Sequence, residues 1–147
     1  MKFPNMRNLS QIILSCLVFL ATPAWGAVAF VQKVPTTTTA THFSGTSAQT
    51  VAITPTAGNL LVVVVTVGGA TSPTNTVTVS DSDSVSYTSA GSAPTSGGLG
   101  RVSIFYRPNV TAGAKTITIT PSATPASPAW AVEVMEYSGV HSTPTVT

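Results

Sequence analysis

Eight consecutive residues, Leu60–Val67, read Leu-Leu-Val-Val-Val-Val-Thr-Val, and no other feature of the chain restricts its fold as much. β-Branched side chains crowd a helix and suit a pleated strand. A strand that is apolar on both faces belongs at the centre of a sheet or between layers. Around this run, which Gly68-Gly69 ends, the period is two rather than 3.6. Ala27–Val34 sets Val28, Phe30 and Gln32 against Ala29, Val31 and Lys33, and Gln49–Thr54 runs up to Pro55. Asn75–Ser80 alternates threonine with valine, and Arg101–Arg107 sets Val102, Ile104 and Tyr106 against Ser103, Phe105 and the two arginines. Lys115–Thr120 sets Thr116, Thr118 and Thr120 against Ile117 and Ile119, and Ala129–Tyr137 is the last long strand. Turn signals stand between: Thr56-Ala57-Gly58-Asn59, Asp81-Ser82-Asp83-Ser84 with a short Val85–Thr88 return, and Pro108–Gly113. Ser89–Gly100, rich in Gly, Ser and Pro, reads as an exposed loop. The pattern predicts an all-β chain, an antiparallel β-sandwich of about eight strands, Ig-like or jelly-roll-like.

The N-terminus has a different grammar. Lys2 and Arg7 precede an apolar run from Ile12 to Ala21, Thr22-Pro23 breaks it, and Ala24-Trp25-Gly26 offers small residues before Ala27. Ten apolar residues span about 15 Å as helix, half of a ~30 Å hydrocarbon core, so residues 1–26 are expected to be a cleaved export signal rather than an anchor. Removing it leaves 121 of the 147 residues: one domain over 27–140 and a polar tail, 141–147. A secreted or cell-surface protein is expected, with no stable membrane insertion after cleavage. The single cysteine, Cys16, lies in the leader, so the mature chain has no thiol for a disulfide, a zinc–thiolate site or a nucleophile. Lys2 and Arg7 also leave with the leader, and the domain is then formally neutral, without a basic patch for nucleic acid.

Reactive side chains are few. His42 and His141 lie outside any metal-ligand spacing, and no Gly-x-Ser-x-Gly elbow is present, so no catalytic residue is assigned and the chain is read as noncatalytic. Asp81 and Asp83 alternate with Ser82 and Ser84, which admits a weak surface calcium site as the one cofactor considered. An EF-hand loop is excluded, because its Gly and Glu positions are Ser86 and Ser92, and turn hydrogen bonding is the plainer reading. Glu133 and Glu136 are three apart on a strand and point to opposite faces, which removes a local pair of glycosidase acids. Glu136 is in phase with Trp130, Val132 and Val134, an inward phase, so a structural ion pair with Arg101 or Arg107 is expected. Trp130, Tyr106 and Tyr87, together with Tyr137 and Phe105, are the candidates for a sugar-stacking platform, although each also stands where a strand places core rings.

Several of these segments together resemble a β-sandwich module that recurs in bacterial secreted and cell-surface proteins. They are Phe30-Val31-Gln32, Thr56-Ala57-Gly58-Asn59-Leu60-Leu61-Val62-Val63, and Val79-Ser80-Asp81 with Tyr87. Ile104-Phe105-Tyr106 with Asn109-Val110, and Glu136-Tyr137-Ser138-Gly139-Val140, complete the similarity, which spans about Phe30 to Val140. The resemblance implies a β-sandwich used as a repeated or appended unit, without catalysis. The chain departs from the module at Asp83-Ser84, where the module carries Gly-Asn, and at its end. Similar modules continue for several strands past the Glu-Tyr-Ser-Gly segment, so a fragment or short variant of a longer protein is expected. The leading functional expectation is a structural or adhesive extracellular module, with surface glycans or neighbouring domains as partners. The alternative is a carbohydrate-binding module using exposed aromatics and a weakly held calcium.

Overall fold

Strands with one apolar side must bury that side against another layer. The computed structural model describes residues 26–36, 41–44, 47–68, 76–94, 100–122, 129–141 and 143, excepting the side chains of 41–44 and 129–130. Apart from Gly26, His141 and Thr143, the expected leader and tail lie outside these residues. The described residues form nine strands and no helix: β1 (Ala29–Val34), β2 (Thr41–Ser44), β3 (Gln49–Ile53), β4 (Leu60–Gly68), β5 (Val77–Asp81), β6 (Thr88–Pro94), β7 (Gly100–Arg107), β8 (Lys115–Pro121) and β9 (Ala129–Ser138).

The fold is the antiparallel β-sandwich that the alternation predicts. A larger sheet runs β1-β9-β4-β7-β6, with β2 also on β9, and a smaller sheet runs β3-β8-β5. The pairings nest: β1 with β9, β3 with β8, β4 with β7. A long antiparallel ribbon is thus folded over on itself and closed where β9 meets β4 and β8 meets β5. This is jelly-roll connectivity, in which neighbours in the sheet are remote in sequence. The Leu60–Val67 run is the central strand β4, between β7 and β9. Leu61, Val63, Val65 and Val67 point inward with Phe105, Val132 and Val134, and meet Val51, Ile53, Val77, Val79, Ile117 and Ile119 of the smaller sheet. Each such side chain contributes about 1.5–3 kcal/mol by leaving water.

Three local expectations are corrected. The presumed loop Ser89–Gly100 supplies most of β6, paired to β7 with an irregularity between Ser89 and Gly91. An edge strand can be held by backbone hydrogen bonds alone, and Pro94 closes it where a missing N–H is tolerated. The expected Val85–Thr88 strand shrinks to a bridge between Ser80 and Ser86. In β1 a bulge between Phe30 and Gln32 breaks the alternation: Phe30 stands beside Tyr137, and Gln32 beside Glu136. Two residues that simple alternation puts on one face therefore face opposite ways.

The two outer faces differ in chemistry. On the smaller sheet Thr50 and Ser80 flank Thr118, and Thr78 flanks Thr120, all exposed or half-buried. On the larger sheet the outward residues of β4 are Leu60, Val62, Val64 and Thr66, and those of β7 are Val102, Ile104 and Tyr106. Ile104 is 41% exposed although strands flank it on both sides, so among the described residues nothing lies over it.

Candidate functional site

Polar side chains standing in the inward phase of a strand must find partners inside. Glu136 of β9, Leu61 of β4 and Arg107 of β7 occupy one transverse row, with Gln32 of β1 beyond Glu136. Leu61 separates two polar clusters by two strand spacings, about 10 Å.

The first cluster surrounds Glu136, which is fully buried. Its Oε1 accepts from the Thr56 N–H at 2.8 Å and from Asn59 Nδ2 at 2.6 Å, and its Oε2 accepts from Gln32 Nε2. Gln32 also donates to the Thr54 carbonyl, 2.9 Å away. Gly58, at φ +85°, makes the turn that presents the Thr56 N–H and Asn59, a conformation that suits glycine. The Asn59 carbonyl accepts from the Val110 N–H and the Gly58 N–H donates to the Val110 carbonyl, which ties the turn to the connection after β7. Burial raises the Glu136 pKa, but the bonds from Gln32, Thr56 and Asn59 outweigh it, and the carboxyl is held below its ordinary range. The expected ion pair between Glu136 and an arginine does not form. Arg107 is turned toward a different pair of acids, and Arg101 donates to Ser92 Oγ at 2.6 Å. Arg101 pairs in register with Val67, six residues along β4 from Leu61, hence about 20 Å from Glu136.

The second cluster joins the sheets. Arg107 binds Asp81 through Nη1 and Asp83 through Nη2, the latter at 3.1 Å. Lys115 Nζ, at the buried start of β8, lies 3.0 Å from Asp83 Oδ1 and 2.9 Å from Oδ2. Thr111 Oγ1 donates to Asp83, Tyr87 Oη donates to Asp81 at 3.3 Å, and the Asp83 N–H donates to Asp81 Oδ1. Two carboxylates thus meet two cations, and the cluster is neutral. Hydrogen bonds from Thr111 and Lys115 hold Asp83 below its usual range, against burial. Burial lowers the Arg107 pKa, and burial with the charge of Asp83 pushes Tyr87 up. A carboxylate held low is a weak base and a phenol held high a reluctant acid, so this geometry stabilises charge rather than moving protons.

Every oxygen of Asp81 and Asp83 already accepts from a protein donor, and a calcium ion there would displace Arg107 and Lys115. The sugar platform does not assemble from its candidates: Phe105 is buried in the core. Tyr87 is buried in the core against Asp81, whereas Tyr106 is half-buried on the outer face, and the Trp130 side chain lies outside the described residues. Of the candidates, the half-buried Tyr137 meets the exposed Phe30 edge to face, with ring centroids 5.9 Å apart. His141 Nδ1 accepts from the Thr143 N–H at 3.2 Å, and the His42 side chain is not among those described.

Sequence reasoning missed Gln32, Asn59 and Lys115. A usable signal existed for two of them. Asn59 is in phase with Leu61 and Val63, and Lys115 with Ile117 and Ile119, so each is a polar residue on an apolar phase at a strand end. Gln32 gave no such signal, because the bulge resets its phase. The segments behind the module resemblance converge on the same clusters: Gln32, Asn59 and Glu136 on one, Asp81 and Tyr87 on the other. Family models, curated proteins and solved structures yield no match to this chain.

Proposed function

We propose that this protein is an exported, noncatalytic β-sandwich module with a structural or adhesive role, and that it acts through the outer face of its larger sheet. The carrying observation is the contrast between a hydroxyl-lined outer face on one sheet and a Leu, Val, Ile and Tyr face on the other. Solvent alone does not favour an apolar face of that kind, and such patches mark interaction surfaces. The charged groups described above support the same reading, since they fasten strands to one another inside the fold. Export rests on the leader pattern of residues 1–26.

The test is expression from Met1 in a bacterial host, with intact-mass analysis of the exported product and assays of it on ester and glycoside substrates and a glycan array. A product beginning at Ala27, inert on these substrates, is expected. Retention of the whole chain in the cytoplasm would overturn the export reading. Hydrolysis lost in His42→Ala would overturn the noncatalytic one. Sugar binding lost in Trp130→Ala, with the fold intact, would put the carbohydrate-binding alternative in its place.

A further inference from the structure

We propose that the occupant of the larger sheet's outer face is a second copy of this chain, packed face to face about a two-fold axis. The axis lies in the plane of the face, perpendicular to the strands, and passes between Val62 and Val64. This rests on the reading of that face as a contact surface and names its partner.

Three observations favour a copy over any other partner. The first is charge. Among the described residues the face carries one cation and one anion, Lys33 and Glu133, 2.8 Å apart and each part-exposed. The face is therefore neutral and offers little to an anionic surface. Lys33 lies in the row of Met135 and Val62, and Glu133 in the row of Val64 and Ile104, so the axis runs between the two charges. It sets each pair antiparallel beside its copy, Lys33 of one against Glu133 of the other, and no unpaired charge is buried.

The second observation is shape. Tyr137, Phe30 and Leu60 form a bulky row at one end of the face, and Ala131, Thr66 and Val102 a slighter row at the other. The same axis lays the bulky row of each copy over the slight row of its partner. The third is area. Five strands at about 4.8 Å, each about seven residues of 3.3 Å, give a footprint near 550 Å² per copy, or about 1,100 Å² in all. That clears the roughly 1,000 Å² expected of a biological interface, and aligned sheet packing about 10 Å apart is its ordinary geometry.

The exported, processed protein is examined by sedimentation equilibrium from micromolar to millimolar concentration. A dimer is expected, and Ile104→Lys, at a position exposed in the single chain, should be monomeric, with the thermal midpoint that the wild type shows when diluted to monomer. Lys33→Glu and Glu133→Lys should each weaken self-association by about tenfold, because like charges then face each other. An equimolar mixture of these two variants should recover dimerisation, since the −2 face of one complements the +2 face of the other. A monomer across the whole range, a dimer unmoved by Ile104→Lys, or a mixture no tighter than either variant alone would each overturn the proposal. A product that is exported and inert yet monomeric would overturn this inference alone and leave the module reading standing.

Discussion

Replacing Glu136 by Gln changes almost nothing in volume and removes one charge, so it isolates what the buried carboxylate contributes. Neutral groups of Gln32, Thr56 and Asn59 donate to that carboxylate, and no cation is among them. Hydrogen bonds to a charged acceptor contribute about 1.5–3 kcal/mol each, and neutral ones about 0.5–1.5 kcal/mol. In the variant one of the two acceptor oxygens becomes an NH₂ group facing a donor. If Gln32 turns its amide to accept instead, it gives up its bond to the Thr54 carbonyl. Losing one bond and weakening the others amounts to about 3 kcal/mol, or roughly 10 °C in Tm for a domain of this size. Urea unfolding at neutral pH, with equal m-values for both proteins, measures the difference. The acid dependence supplies a second check. The folded pKa lies below the ordinary value of 4.5, so the unfolded chain binds this proton more readily. The contribution is complete above the ordinary carboxylate range and is lost as pH falls through the folded pKa. The gap between wild type and Glu136→Gln should therefore narrow on acidification. A midpoint within 0.5 kcal/mol of wild type, an estimate of ordinary surface-mutation scatter, or a gap that widens in acid, would refute the reasoning.

Other outcomes follow from the same geometry. Arg107→Ala strands Asp81, whose side chain has no exposure, and should cost about 3–5 kcal/mol; adding Asp81→Asn should recover part of that loss in a double-mutant cycle. Tyr87 should remain protonated in an ultraviolet titration at pH values where a free phenol ionises, with domain stability falling as pH rises past the ordinary value of 10.0. An early Tyr87 transition in the folded state would count against its burial beside Asp83. Gly139→Ala should destabilise by about 1–3 kcal/mol, because φ is +73° and the added Cβ would sit 2.5 Å from the Ala27 carbonyl oxygen. Hydrogen exchange should then report the loss first at the start of β1.

Much of the fold was legible because a strand's side-chain period is set by local stereochemistry. The Leu60–Val67 run, the threonine–isoleucine alternation of β8 and the Gly58 turn all stand where pattern alone puts them. β6 escaped notice since its pairing uses backbone groups, which Thr-Ser-Ala-Gly-Ser-Ala-Pro carries as well as any sequence does. The inward phase of Glu136 was readable, and so was its need for a partner. The partner's identity was not, because Arg107 stands in the same transverse row but is turned to Asp81 and Asp83 across the sandwich.

Amino-acid order alone thus determined that this chain is made of strands, where most of them turn, and which residues share a face. Those properties depend on neighbours one or two positions away. Tertiary structure decided which face of the doubly apolar β4 is inside, which acid meets which base, and that one outer surface stays apolar. Those outcomes depend on strands brought together from opposite ends of the ribbon, and on a single bulge at Val31 that reverses a face. A pattern of period two can name two sides of a strand, but where both are apolar, as in β4, only the layer packed against it says which side is buried.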